Sequence, residues 1–146
     1  MNISQLVKKL KAMEMGLVSI LAAAMEKHKE ELIFLNQQQL YERGTDGEGK
    51  KLKRYKNKSY AKKKHRLNPL PGLGVPDLFL KGNLLDSMTL KTQGESFNIN
   101  SSLYYAKYIF KNYGEQVFKL TKGSKRQGWK IIKPTVLKLI KQQLTK

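Results

Sequence analysis

The sequence predicts an α+β fold: a long N-terminal helix packed on a small antiparallel sheet, then a short aromatic helix and a C-terminal helix. Three observations carry this. Apolar residues recur at three- and four-residue spacing from Ile3 to Met25, and helix-favouring residues continue to Leu40. Two short alternating runs, Met88 to Lys91 and Ser96 to Asn100, flank a bend at Gly94. An aromatic run from Leu103 to Tyr113 then ends on Gly114, a helix with a glycine stop. The 146 residues suit one domain. It divides into an N-terminal helix (1–43), a basic loop and Pro/Gly connector (44–77), a central hairpin and helix (78–118), and a basic C-terminal arm and helix (119–146).

In the first segment Ile3, Leu6, Val7, Leu10, Met13, Leu17, Ile20, Leu21, Ala24 and Met25 form one amphipathic stripe. Asn2 or Ser4 caps it, and helix formers carry it at least from Leu6 to Leu35 and on to about Glu42. Gly16 is its weak point. Such a stripe serves either as a coiled-coil seam or as the face that packs on the domain's own sheet. The second is the ordinary case and predicts burial against the hairpin 88–100.

Three glycines among acids from Gly44 to Gly49 read as a turn. The loop lacks the later ligands and closing glutamate of a calcium site, and the Gly-Lys-Ser/Thr ending of a phosphate loop. Lys50 to Arg66 then carries ten basic residues and no acid: Lys50, Lys51, Lys53, Arg54, Lys56, Lys58, Lys62, Lys63, Lys64 and Arg66. Tyr55 and Tyr60 lie between them. Such a run either binds a polyanion, with tyrosines on bases, or is a solvated loop whose tyrosines pack back on the core. Leu67 to Asp77, with three prolines and two glycines, reads as an extended connector.

The central segment opens at Leu80, Gly82 and Leu84 and turns at Ser87. Leu84, Tyr105, Tyr108 and Ile109 are its expected core, with Ala106 beside them. Beyond Glu115 there is no acid. Lys119 to Lys133 reads as a basic loop with Gly123, Ser124 and Gly128 as loop formers, and it adds Lys125, Arg126 and Lys130 to the candidate polyanion contacts. Trp129, the only tryptophan, reads as a buried anchor. Pro134 marks the start of a terminal helix running to about Leu144.

Twenty-nine Lys and Arg against eleven Asp and Glu give a net charge of +18. That density opposes compaction and asks for an anionic partner, nucleic acid first. With no cysteine, disulfides and thiolate metal sites are excluded. No signal peptide is read in the first residues, and no apolar run reaches 18 residues, so no membrane span is expected. His28 and His65 lack metal-ligand spacing. Asp77 and Asp86 have no reason to pair for acid–base work, the serines lack a nucleophile-elbow pattern, and the scattered acids do not suggest a magnesium nuclease. Neither catalysis nor a cofactor is expected.

The run Leu80-Lys81-Gly82-Asn83-Leu84-Leu85-Asp86-Ser87-Met88, the hairpin, Tyr104-Tyr105-Ala106-Lys107-Tyr108-Ile109 and the closing Tyr113-Gly114 resemble tailed-phage neck proteins. Those are variously called tail-completion, head–tail connector or virion-morphogenesis proteins, with a TGxLxxS turn, strands and a YAxxxExG close. Upstream, Gln39 to Lys50, Tyr60-Ala61 and Leu67-Asn68-Pro69 are similar to minor structural proteins of Bacteroidetes phages. The likeness spans about half the chain, Gln39 to Gly114; Lys81 stands for the usual Thr, and Asn112 near the usual Glu. It implies a non-enzymatic ring subunit of the virion neck or tail at the portal–tail junction, made in the host bacterial cytoplasm. Its partners would be copies of itself, portal or adaptor and tail proteins, and double-stranded DNA, with no membrane. The other reading of the basic segments is a free nucleic-acid-binding accessory protein.

Overall fold

The computed structural model describes residues 2–79, 83–104 and 106–145. Leu80, Gly82 and Tyr105 of the motif lie outside them. The fold is α+β, with helices around a two-stranded antiparallel sheet.

Helix α1 spans Ile3–Lys27. Asn2 caps it: its side chain accepts from the Gln5 backbone N–H at 2.8 Å, and the Gln5 side chain accepts from the Asn2 N–H at 3.1 Å. The expected single long helix is interrupted at His28, whose φ of −106° and ψ of 22° leave the helical region. Helix α2, Lys29–Gln38, continues in a π-helical turn, Gln39–Arg43, that ends on left-handed Gly44. A Cβ there would lie 2.5 Å from the Pro76 carbonyl oxygen and the Val75 side chain, so only glycine fits. His28 holds the break in place. One ring nitrogen lies 2.9 Å from a Glu31 carboxylate oxygen and the other 2.7 Å from the Thr135 hydroxyl.

The run 50–66 is not all loop. Helix α3, Lys58–Leu67, occupies its second half, capped by the Asn57 side chain on the Tyr60 N–H. Helix α4, Asn83–Asp86, leads into β1, Met88–Gln93, and β2, Ser96–Ser101. Their register pairs Leu90 with Ile99 and Gln93 with Ser96, leaving Gly94 (φ +59°) and Glu95 as a two-residue loop. A positive φ at the first loop position matches the twist of a hairpin, which is why glycine sits there. Met88 and Leu90 of β1 point inward, against α1 and α2, and Ile99 of β2 is buried in the same core. Ser87 joins the two ends: its hydroxyl donates to the Leu84 carbonyl at 2.6 Å and lies 2.6 Å from the Ser101 hydroxyl.

Helix α5, Ala106–Tyr113, stops at Gly114 (φ +86°) as expected. Its inward face is Ala106, Ile109, Phe110 and Tyr113. Tyr108, expected in the core, is 53 % exposed, with the Lys107 ammonium 5.1 Å from its ring centroid. The periodicity was right but the phase was off by about one residue, because the 3₁₀ turn Glu115–Phe118 and its buried Val117 and Phe118 fix which side of α5 faces in. Leu84 is buried, as expected. Leu84→Ala is expected to cost about 2–5 kcal/mol in denaturant unfolding; a loss below about 0.5 kcal/mol would place it outside the core.

Helix α6 spans Lys122–Leu144, so the C-terminal segment is no loop and the helix does not begin at Pro134. Thr121 caps it, accepting from the Ser124 N–H at 3.2 Å. Gly128, read as a loop former, is buried in the helix where α6 crosses α2; a Cβ would meet Leu32 at 3.1 Å. Pro134 sits inside the helix on its exposed side, where the carbonyl it leaves without a donor can meet water.

The packing of α1 departs most from expectation. Ile20, Ala24 and Met25 are buried in the core against α6 and β1. Every residue from 2 to 14 is exposed. α6 ends where α1 reaches Gly16, beside Gln143, and none of the described residues covers the first half.

Candidate polyanion-binding surface

The basic run is built on a small hydrogen-bonded frame. Asp46 turns the preceding loop by accepting from the Glu48 and Lys50 N–H groups at 2.9 and 3.0 Å. The Lys51 ammonium donates to the Arg43 carbonyl at 2.7 Å and the Pro71 carbonyl at 2.9 Å. It remains exposed but serves as a clasp between the turn and the connector.

Helix α3 has two faces. Ala61 and Lys64, three residues apart, point inward. Lys58, Lys62 and Arg66, four apart, make an exposed cationic row, with Lys63 also exposed. Lys50, Lys53, Arg54 and Lys56 are exposed on the loop before it. Nine of the ten basic residues therefore face solvent. Lys64 does not: it is 6 % exposed, and its ammonium lies 2.9 Å from the Asp77 carboxylate. It also donates to the Phe79 carbonyl. Lys64 is thus a structural cation and drops out of the candidate contacts.

Asp77, buried at 2 %, accepts from the Asn68 side-chain amide and the Phe79 N–H, both at 3.0 Å. It thereby fixes the Pro/Gly connector under α3, where Leu78 takes a φ of +58°. Such strain in a branched residue costs about 1–3 kcal/mol and is sustained by the bonds on either side. Tyr55 is half-buried with its ring edge-on to Tyr60, centroids 5.0 Å apart. Burial, with the Asp77 charge beside it, pushes the Tyr55 phenol above its ordinary range. Tyr55 thus packs back on the protein, and of the two tyrosines only Tyr60 is exposed.

Lys125, Arg126 and Lys130 are exposed on α6, not on a flexible arm. The Arg43 guanidinium links the two basic elements by donating to the Ser124 hydroxyl at 3.3 Å. The hub beneath is Gln39, fully buried. Its amide N–H groups face the carbonyls of Thr45, Asp46 and Lys119 at 3.0–3.1 Å, and its oxygen accepts from the Thr121 N–H at 3.0 Å. One side chain thus ties the turn, the π-helical turn and the start of α6 together. Neither Gln39 nor the Lys64–Asp77 pair was foreseen. Gln39 is the last of three consecutive glutamines, and no local pattern marks it out from Gln37 and Gln38.

Beside this surface lies an open, mostly apolar groove of about 780 Å³ between β2 and α6. Leu21, Met25, Phe97 and Ile99 are among its lining, and so is Trp129, 46 % exposed rather than a buried anchor. Its charged lining is Glu95, Glu115, Lys119 and Lys125.

Among the described residues no group of three or more His, Asp or Glu is placed to hold a metal, and no helix is long and apolar enough to cross a membrane. No protein-family model, curated protein or solved structure matches the chain.

Proposed function

We propose that this protein is a non-enzymatic virion structural subunit of a tailed-phage neck, working as one copy in a ring at the head–tail connector or tail-completion position. The observation that carries the reading is the first half of α1: with its Asn2 cap, thirteen consecutive exposed residues bearing an apolar stripe of Ile3, Leu6, Val7, Leu10 and Met13. An isolated helix of that length is marginal in water, so it is built to meet another chain. The central segment's likeness to neck proteins supplies the kind of assembly. The cationic row of α3 and the basic residues of α6 supply contacts for double-stranded DNA or for acidic neighbours such as portal, adaptor or tail proteins. The exposed lysines by themselves also fit a free nucleic-acid-binding accessory protein.

Light scattering and a salt titration of duplex-DNA binding separate the two readings. A neck subunit is expected to assemble to a fixed copy number without DNA; an accessory protein stays monomeric and binds DNA. Each phosphate contact contributes about −0.9 to the slope of log affinity against log salt. Lys62→Ala, Lys63→Ala and Arg66→Ala together are expected to flatten that slope by about 2–3, with every DNA sequence weakened alike. Lys64 is kept, since its loss disturbs the fold. A variant that assembles and binds DNA as before makes the α3 row a solvated face. A monomeric wild-type chain at high concentration overturns the subunit reading.

A further inference from the structure

The free half of α1 and the groove between β2 and α6 are two unpartnered apolar surfaces on the same chain, and they fit one another. We infer that the groove receives the free half of α1 from a second copy. From the proposed function the inference takes only that copies of the chain assemble.

Length is the first argument. Ile3 to Leu17 spans about 22 Å at the α-helical rise. The six residues of β2, along which the groove runs, span about 20 Å. Continuity is the second. Leu6, Leu10 and Leu17 lie on the same side of α1 as Leu21, which lines the groove with Met25 at its edge. The exposed stripe therefore leads toward the groove floor, and an incoming helix meets a mostly apolar surface.

Charge is the third argument, and it selects the occupant. On a chain of net charge +18, the groove lining is neutral, with two carboxylates and two ammonium groups. Copies of so cationic a protein approach most easily there. Glu95 and Glu115 are exposed and have no ion-pair partner among the described residues. On the incoming helix Lys9 and Lys11 flank the stripe on either side, at about 100° of rotation per residue, and Lys8 lies opposite. The stripe thus enters an apolar slot with cations along its margins, and the slot carries free carboxylates. Helix and groove are different surfaces, so each copy gives one contact and takes another, as head-to-tail closure requires.

The chain has no cysteine, which makes a direct test possible. Two full-length chains are made, one Met13→Cys and one Lys125→Cys; both positions are exposed, so neither change strains the fold. They are mixed and oxidised, and the products are resolved by mass. The mixed disulfide between a helix-labelled and a groove-labelled chain is expected to predominate over both like-with-like products. Leu10→Asp is expected to weaken self-association at least ~10-fold, because the carboxylate enters an apolar slot. Lys9→Glu with Lys11→Glu is expected to weaken it as well, and Glu95→Lys with Glu115→Lys mixed against that chain to restore it.

A product linking only Met13→Cys chains would show the stripe pairing with itself and overturn the inference. So would an assembly mass indifferent to Leu10→Asp, or a monomer whose α1 binds only anionic lipid vesicles. A mixed disulfide confined to two-copy particles upholds the docking and refutes the ring. A many-copy particle without the mixed disulfide refutes the docking and leaves the ring standing.

Discussion

Lys64→Met is expected to destabilise the protein by about 3–5 kcal/mol, read as a shift in the denaturant midpoint at unchanged slope. Lys64 and Asp77 are both nearly inaccessible and lie 2.9 Å apart. Removing the ammonium leaves a carboxylate in a poorly solvated site where, among the described residues, the Asn68 amide and the Phe79 N–H hold it. The Phe79 carbonyl loses its donor at the same time. Removing both charges in Lys64→Met/Asp77→Leu should recover much of the loss, because the desolvation cost of the pair disappears with it. Recovery will be incomplete, since Asp77 also turns the backbone at Leu78. A single variant within about 1 kcal/mol of wild type would show that the pair is solvated and that Lys64 belongs with the exposed cations after all.

Phe118→Ala is expected to cost about 3–5 kcal/mol, the range for removing a fully buried aromatic. Phe118 is 2 % exposed, and its ring stands edge-on to Phe110 with centroids 5.1 Å apart. It also lines the β2–α6 groove, so its removal deepens the slot rather than letting the walls close. The flanking backbone is held, because the Lys119 carbonyl accepts from Gln39, and this limits relaxation. Phe118→Leu, which keeps most of the volume, should cost less than half as much. Equal losses in the two variants would mean that ring shape, not cavity volume, sets the stability at this site.

Local pattern was enough for much of the fold. Alternation about Gly94 placed the hairpin, whose strands run one or two residues further than the sequence suggested. The glycine stop at Gly114 and the Asn2 cap were legible because each is a property of a few neighbouring residues. Helix α3 was not, since only Ala61 and Lys64 face inward and a buried lysine looks like any other in a lysine run. The start of α6 was missed for a related reason. Gly128 reads as a helix breaker until Leu32 is placed against it, and Pro134 reads as a helix start until Thr121 is seen capping the helix thirteen residues earlier.

By itself, then, the sequence determined the α+β class, the periodicity of α1 and α5, the hairpin and the excess of positive charge, since each follows from side chains near one another along the chain. The tertiary structure decided which parts of those patterns are covered. Lys64 is withdrawn from the basic surface because a carboxylate thirteen positions further on lies under it. The stripe of α1 is buried at Ile20, Ala24 and Met25 and bare from Ile3 to Met13 because α6 ends beside Gly16. The stripe's spacing is the same on both sides of that point. Burial is a relation between distant segments, and no local spacing records where the covering segment stops.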